Sequence, residues 1–89
     1  MIAVYKYEFA VANEVDVEMP SGAEVVAVGS QDTNHICLWA IVDTDKPVTT
    51  RKFQVCGTGH PLDSVGPYIG TVFDGPYVWH VFGANRLCR

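Results

Sequence analysis

Tyr68-Ile69-Gly70-Thr71-Val72-Phe73-Asp74-Gly75-Pro76-Tyr77-Val78-Trp79-His80-Val81-Phe82 decides the fold class of this chain. Two runs rich in β-branched and aromatic residues, 68–73 and 77–82, flank Asp74-Gly75, a dipeptide suited to the positive φ of a tight hairpin turn. Pro76 has no N–H to give to a ladder, so the hairpin should begin at a sheet edge or with an outward-facing position.

The same reading extends toward the amino terminus. Val48 to Cys56 reads as the antiparallel return of His35 to Asp43, with Asp43-Thr44-Asp45-Lys46-Pro47 as the turn between them. The earlier of these two holds the longest apolar run, Ile36 to Val42. A strand apolar on both faces is either central in a two-layer core or partly covered by another subunit, so Ile36, Leu38 and Ala40 are candidate oligomer contacts. Val25 to Val28 is a short apolar strand before the polar turn Gln31 to Asn34, and Pro20-Ser21-Gly22-Ala23 carries tight-turn chemistry. Val15, Val17 and Met19 alternate with Asp16 and Glu18, the period of a half-buried strand. Val4 to Phe9 opens the series.

About seven short strands with no helical period predict an all-β domain, a sandwich or an open barrel, over residues 1–82, with 83–89 as a tail. Sheets this small leave edges exposed, and pairing them across a two-fold axis predicts a homo-oligomer.

Composition narrows the function classes. Eighty-nine residues make one domain, and 48% apolar content supplies a core without metal or disulfide staples. A formal charge of −4 with only 18% charged residues disfavours binding to a nucleic-acid duplex. Arg51 and Lys52 are adjacent, and Arg86 and Arg89 lie near the end, a grouping that suits one small anion. Met1-Ile2-Ala3-Val4-Tyr5-Lys6 has neither a basic n-region nor a signal-length apolar stretch, and no run approaches a membrane span. Cys37, Cys56 and Cys88 are odd in number and lack C-x-x-C spacing, which predicts reduced thiols and a cytoplasmic setting.

Gly57-Thr58-Gly59-His60-Pro61 is the candidate site. Two glycines permit positive φ and close backbone approach, and a strand ending in Gly-x-Gly can present successive N–H groups to an anion. Thr58 and His60 would complete that cradle, Arg51 or Lys52 would supply charge, and Tyr68 or Trp79 a stacking surface. The plain structural reading is a bulged loop whose glycines satisfy backbone geometry while His60 hydrogen-bonds across the turn. No dinucleotide fingerprint or phosphate loop is present. His35-x-Cys37 and Cys56-x3-His60 lack zinc spacing, so no metal or cofactor is predicted. Cys56 with His60 lacks an orienting third group, and His60 with Asp43 or Asp63 is no better supported as an acid–base pair, so no catalytic residue is assigned. His80 shares a strand face with Val78 and Phe82 and reads as a satisfied, partly buried histidine.

Several segments together resemble a known family. They are Glu18-Met19-Pro20-Ser21-Gly22-Ala23, Cys37-Leu38-Trp39-Ala40-Ile41-Val42-Asp43, Gly57-Thr58-Gly59-His60-Pro61, Tyr68-Ile69-Gly70-Thr71 and Val78-Trp79-His80-Val81-Phe82. The family consists of small proteins encoded by tailed phages and prophages, catalogued only as a domain of unknown function. The chain departs from it in having Cys56 where members usually carry Tyr, and in its cysteine-bearing tail. The resemblance implies a phage origin and a stand-alone protein, and it supplies no reaction. With the residues, it gives the expectation of a phage accessory protein acting by binding in the host cytoplasm. It would sequester a small nucleotide-like signal or block a host protein. The other expectation is a structural or protein-interaction module, virion-associated or scaffolding.

Overall fold

A computed structural model describes residues 1–61 and 66–83 of the chain. The predicted tail starts at Gly83, which closes the last strand; Arg86, Cys88 and Arg89 lie outside the described residues, as does Asp63. The strands are β1 (Ile2–Ala10), β2 (Glu14–Pro20), β3 (Glu24–Gly29), β4 (His35–Asp43), β5 (Val48–Gly57), β6 (Tyr68–Asp74) and β7 (Tyr77–Gly83). They form two antiparallel sheets, β1-β4-β3 and β2-β5-β7-β6. The chain is therefore a sandwich, not a barrel.

The core follows from strand alternation. Val17 and Met19 of β2, Phe53 and Val55 of β5, Val72 of β6 and Val81 of β7 face Ile36, Leu38, Ala40 and Val42 of β4. Each large side chain buried this way contributes about 1.5–3 kcal/mol. Ile36, Leu38 and Ala40, expected as oligomer contacts, are fully buried in the chain's own core. β4 is the middle strand of its sheet, and its even-numbered residues point at the opposite sheet. They have no surface left to give another subunit. Its odd-numbered residues face outward, and the Trp39 ring lies over Gly29, the cross-strand neighbour of Cys37.

The β6–β7 hairpin turns one residue later than its sequence suggests. Asp74 pairs with Tyr77, so Gly75-Pro76 is the two-residue loop, with Gly75 at φ 57°. Glycine at the first corner is the requirement of a II′ turn. Pro76 thus occupies the second corner, not the strand, and β6 is the edge strand of its sheet.

β5 and β6 run in the same direction with the antiparallel β7 between them. The connection from β5 to β6 must cross β7. Its first residues are Thr58 to Pro61. Its last are Gly66, whose N–H donates to Gln54 Oε1, and Pro67, whose carbonyl accepts from Gly83 N–H. The candidate loop is the start of this crossover.

Candidate functional site

Gly57, Thr58, Gly59 and His60 form a single tight turn, closed by the His60 N–H donating to the Gly57 carbonyl at 3.1 Å. Gly59, at its third position, has φ 87°, a conformation open to glycine and costly for other residues. Gly57 needs its missing side chain for another reason. A Cβ there would stand 2.9 Å from the His60 ring and 3.3 Å from the Trp79 indole. Both glycines are thus accounted for by local geometry.

The turn straddles the end of β5. On one face the Cys56 thiol is buried and donates to the carbonyls of Gly57 (3.2 Å) and His60 (3.5 Å). On the other, the imidazole of His60 covers Gly57. Successive strand side chains point to opposite faces, so thiol and imidazole do not form a nucleophilic pair.

Neither predicted cation stands at this turn. Arg51 and Gly57 are six positions apart on one strand, about 20 Å along it. Arg51 points between the sheets at their margin, where it donates to the Ala23 carbonyl at 2.8 Å and lies over the Phe53 ring at 5.8 Å. Lys52 faces outward and pairs with Asp16 at 3.1 Å and Glu14 at 3.7 Å. Hydrogen bonding to Asp16, then the charges of Asp16 and Glu14, hold its ammonium above the usual lysine value.

The two aromatic candidates are separated as well. Trp79 pairs with the buried Val72 and faces inward, with Tyr77 stacked on it at 5.8 Å; its indole Nε1 is buried without a hydrogen-bond partner among the described residues. Tyr68 lies on the outer face, edge-on to Phe82.

What the structure does gather on that outer face is a four-membered hydrogen-bond chain. Tyr68 Oη is 2.7 Å from Thr71 Oγ1, which is 3.3 Å from His80 Nδ1. His80 Nε2 is in turn 2.8 Å from Thr58 Oγ1. His80 stands between Cys56 on β5 and Thr71 on β6 in the ladder, so β6 supplies two members of the chain, β7 one and the turn after β5 one. Every member can both donate and accept when the imidazole is neutral. The chain can therefore run in either sense, leaving a free O–H at Thr58 or at Tyr68. Beside it stands Phe73, 77% exposed, with Tyr68 itself 62% exposed.

The sequence reading included Thr58 and Tyr68 but missed Thr71 and left His80 as a merely satisfied histidine. Alternation places His80 outward, but only the pairing of β6 with β7 shows that Thr71 is its neighbour. Among the described residues no three His, Cys, Asp or Glu side chains gather as metal ligands.

No curated protein and no solved structure matches the chain. A domain of unknown function, DUF7352, matches residues 1–87. A match of that extent places the chain in the DUF7352 family.

Proposed function

We propose that this domain acts by binding another protein, with the outer face of β6 and β7 as its recognition surface and no chemistry of its own. The observation that carries the reading is that Phe73 and Tyr68 are both exposed, toward opposite ends of β6, on the face that carries the Thr71–His80–Thr58 chain. Exposed aromatics ringing a few directional polar groups are the composition of interface hot spots. Phe73, Tyr68 and Phe82 would supply contact area; the reversible hydroxyl at Thr58 or Tyr68 would orient the partner. The resemblance to phage and prophage proteins supports a phage accessory role in the host cytoplasm, in which the partner is a host protein to be blocked. Capture of a nucleotide-like anion is the weaker reading, because Arg51 and Lys52 are occupied at the far end of β5.

Phe73→Ser and His80→Ala variants test this. Both should remain folded by circular dichroism, with His80→Ala losing about 1–2 kcal/mol for the two hydrogen bonds it forfeits. Both should lose a protein that the unmodified domain retains from host extract, identified by mass spectrometry and then confirmed with the purified partner. Equal retention by all three forms would sink the proposal. So would stabilisation by a nucleotide panel, which at about 100 times Kd should reach about 2.7 kcal/mol.

A further inference from the structure

A two-sheet sandwich has four edges, and three of these are blocked. β3 and β6 each carry a bulge, at Val25/Ala27 and at Tyr68/Gly70. They also lie against each other, so closely that a Cβ on Gly70 would stand 2.5 Å from Val28 Cγ2. β2 is guarded by charge. Its odd-numbered residues bond to β5, as the flanking bonds Val55 N–H to Asn13 and Ser21 N–H to Pro47 show. Glu14, Asp16, Glu18 and Pro20 are therefore the residues whose backbone faces the open edge, three carboxylates and a proline without an N–H. Such devices keep edges from pairing.

β1 has neither bulge nor proline, and among the described residues no strand pairs with its outer edge. It pairs with β4 without interruption from Ile2 to Ala10. Thr44 N–H donates to the Met1 carbonyl and Val11 N–H to the Asn34 carbonyl at the two ends of this pairing. In an antiparallel ladder bonded and non-bonded pairs alternate, so the odd residues of β1 are committed to β4. Ile2, Val4, Lys6, Glu8 and Ala10 turn their N–H and C=O groups to the open edge. Ile2 and Val4 are also 67% and 61% exposed.

We propose that this edge pairs antiparallel with β1 of a second copy, in the register that sets Lys6 opposite Glu8. The edge groups belong to even residues, so an even residue must face an even one. Centring the two-fold on Lys6 sets like charges opposite each other, which disfavours pairing. Centring it on Tyr5 sets Lys6 against Val4 and Glu8 against Ile2. Centring it on Tyr7 sets each Lys6 against the other copy's Glu8, twice by symmetry, with Tyr5 opposite Phe9 and Val4 opposite Ala10. Lys6 Nζ, exposed and 2.8 Å from Gln31 Oε1 in the single chain, exchanges that neutral partner for a carboxylate. The sheet β1-β4-β3 becomes one of six strands, while the outer face of β6 and β7 stays free.

The full chain's mass should be measured by light scattering and sedimentation over about 1–100 μM, with circular dichroism confirming the fold. Twice the 9.8 kDa chain mass is expected. Lys6→Glu and Glu8→Lys should each weaken the dimer by about tenfold or more, from two like-charge pairs apiece, and the double variant should restore it. Val4→Pro, which removes only an outward N–H, should give a folded monomer. A monomer throughout the range, a dimer indifferent to Val4→Pro, or a double variant no better than the singles would each overturn the proposal.

Discussion

At its Val48 end β5 works with charge, and at its Gly57 end with hydroxyls, a thiol and imidazoles. Arg51 is tied to the Ala23 carbonyl and the Phe53 ring, and Lys52 to Asp16 and Glu14. Ten residues of one strand thus span a structural clamp at one end and a hydrogen-bonding surface at the other. The difference teaches that charge near a glycine-rich turn in sequence is no guide to charge near it in space. A strand carries successive side chains along its axis and to alternate faces. The clamp should show in stability, and the surface in recognition.

The comparison can be broken first at the clamp. Arg51→Ala removes a charged donor from a partly buried carbonyl and strips the Phe53 ring, and should cost about 2 kcal/mol in urea unfolding. Binding by the β6–β7 face should be unchanged. A loss below 0.5 kcal/mol, on the order of a neutral surface change, would mean that the clamp is not structural.

At the turn, Gly59→Ala forces an L side chain into the left-handed region and should cost about 1–2 kcal/mol. Gly57→Ala is the gentler change, about 1 kcal/mol or less, because the exposed His60 ring can swing aside. Its signature would be altered fluorescence from Trp79. If Gly57→Ala proved the costlier of the two, His60 would be fixed in place by more than its contact with Gly57.

Thr71→Val keeps the side-chain shape but cuts the link between Tyr68 and His80. About 1 kcal/mol of stability should be lost, together with a measurable weakening of partner binding in titration calorimetry. Unchanged affinity would leave the polar chain out of recognition and the aromatics alone in it.

The smallest effect belongs to Lys52, whose exposed pairs should contribute nothing measurable to the melting midpoint of Lys52→Met at neutral pH. What little it contributes is present at neutral pH and given up in alkali, so the pH profile shows it better than a single midpoint does. The Lys52 ammonium is held above its ordinary value by Asp16 and Glu14, and burial holds the Tyr7 phenol above its own. Both raised values favour the protonated forms in the fold. That contribution is complete below about pH 10 and is lost as pH rises through the folded values. The midpoint should therefore fall above about pH 10, less steeply in Lys52→Met. A midpoint rising there would contradict both assignments.

Much of the fold is written locally. His35 to Asp43 is legible to the residue, and the other strands to within two residues at either end, because alternation and turn chemistry act over short distances. The hairpin turn shifted by one because Asp74 could serve equally as a corner or as the last paired residue, and Tyr77 decided between them. Sheet membership is another matter. Nothing in Val17 or Arg51 says that β2 lies beside β5, a pairing across two intervening strands. The site shared this fate. Thr58 was legible as a hydroxyl in a turn, but Thr71 acquires meaning only when β6 docks on β7 and sets it beside His80.

The order in which the chain visits its two sheets has a kinetic consequence. β1 waits for β4 while β2 and β3 are laid down, and β2 waits for β5 across β3 and β4. These two closures interlock, each spanning a strand of the other sheet, and the core is buried only when both sheets are in place. Only the β3–β4 and β6–β7 hairpins are local. Such a topology folds slowly for its length and leaves no stable half. Trp39 in one sheet and Trp79 in the other are therefore built-in reporters of one all-or-none transition, and their signals should disappear together.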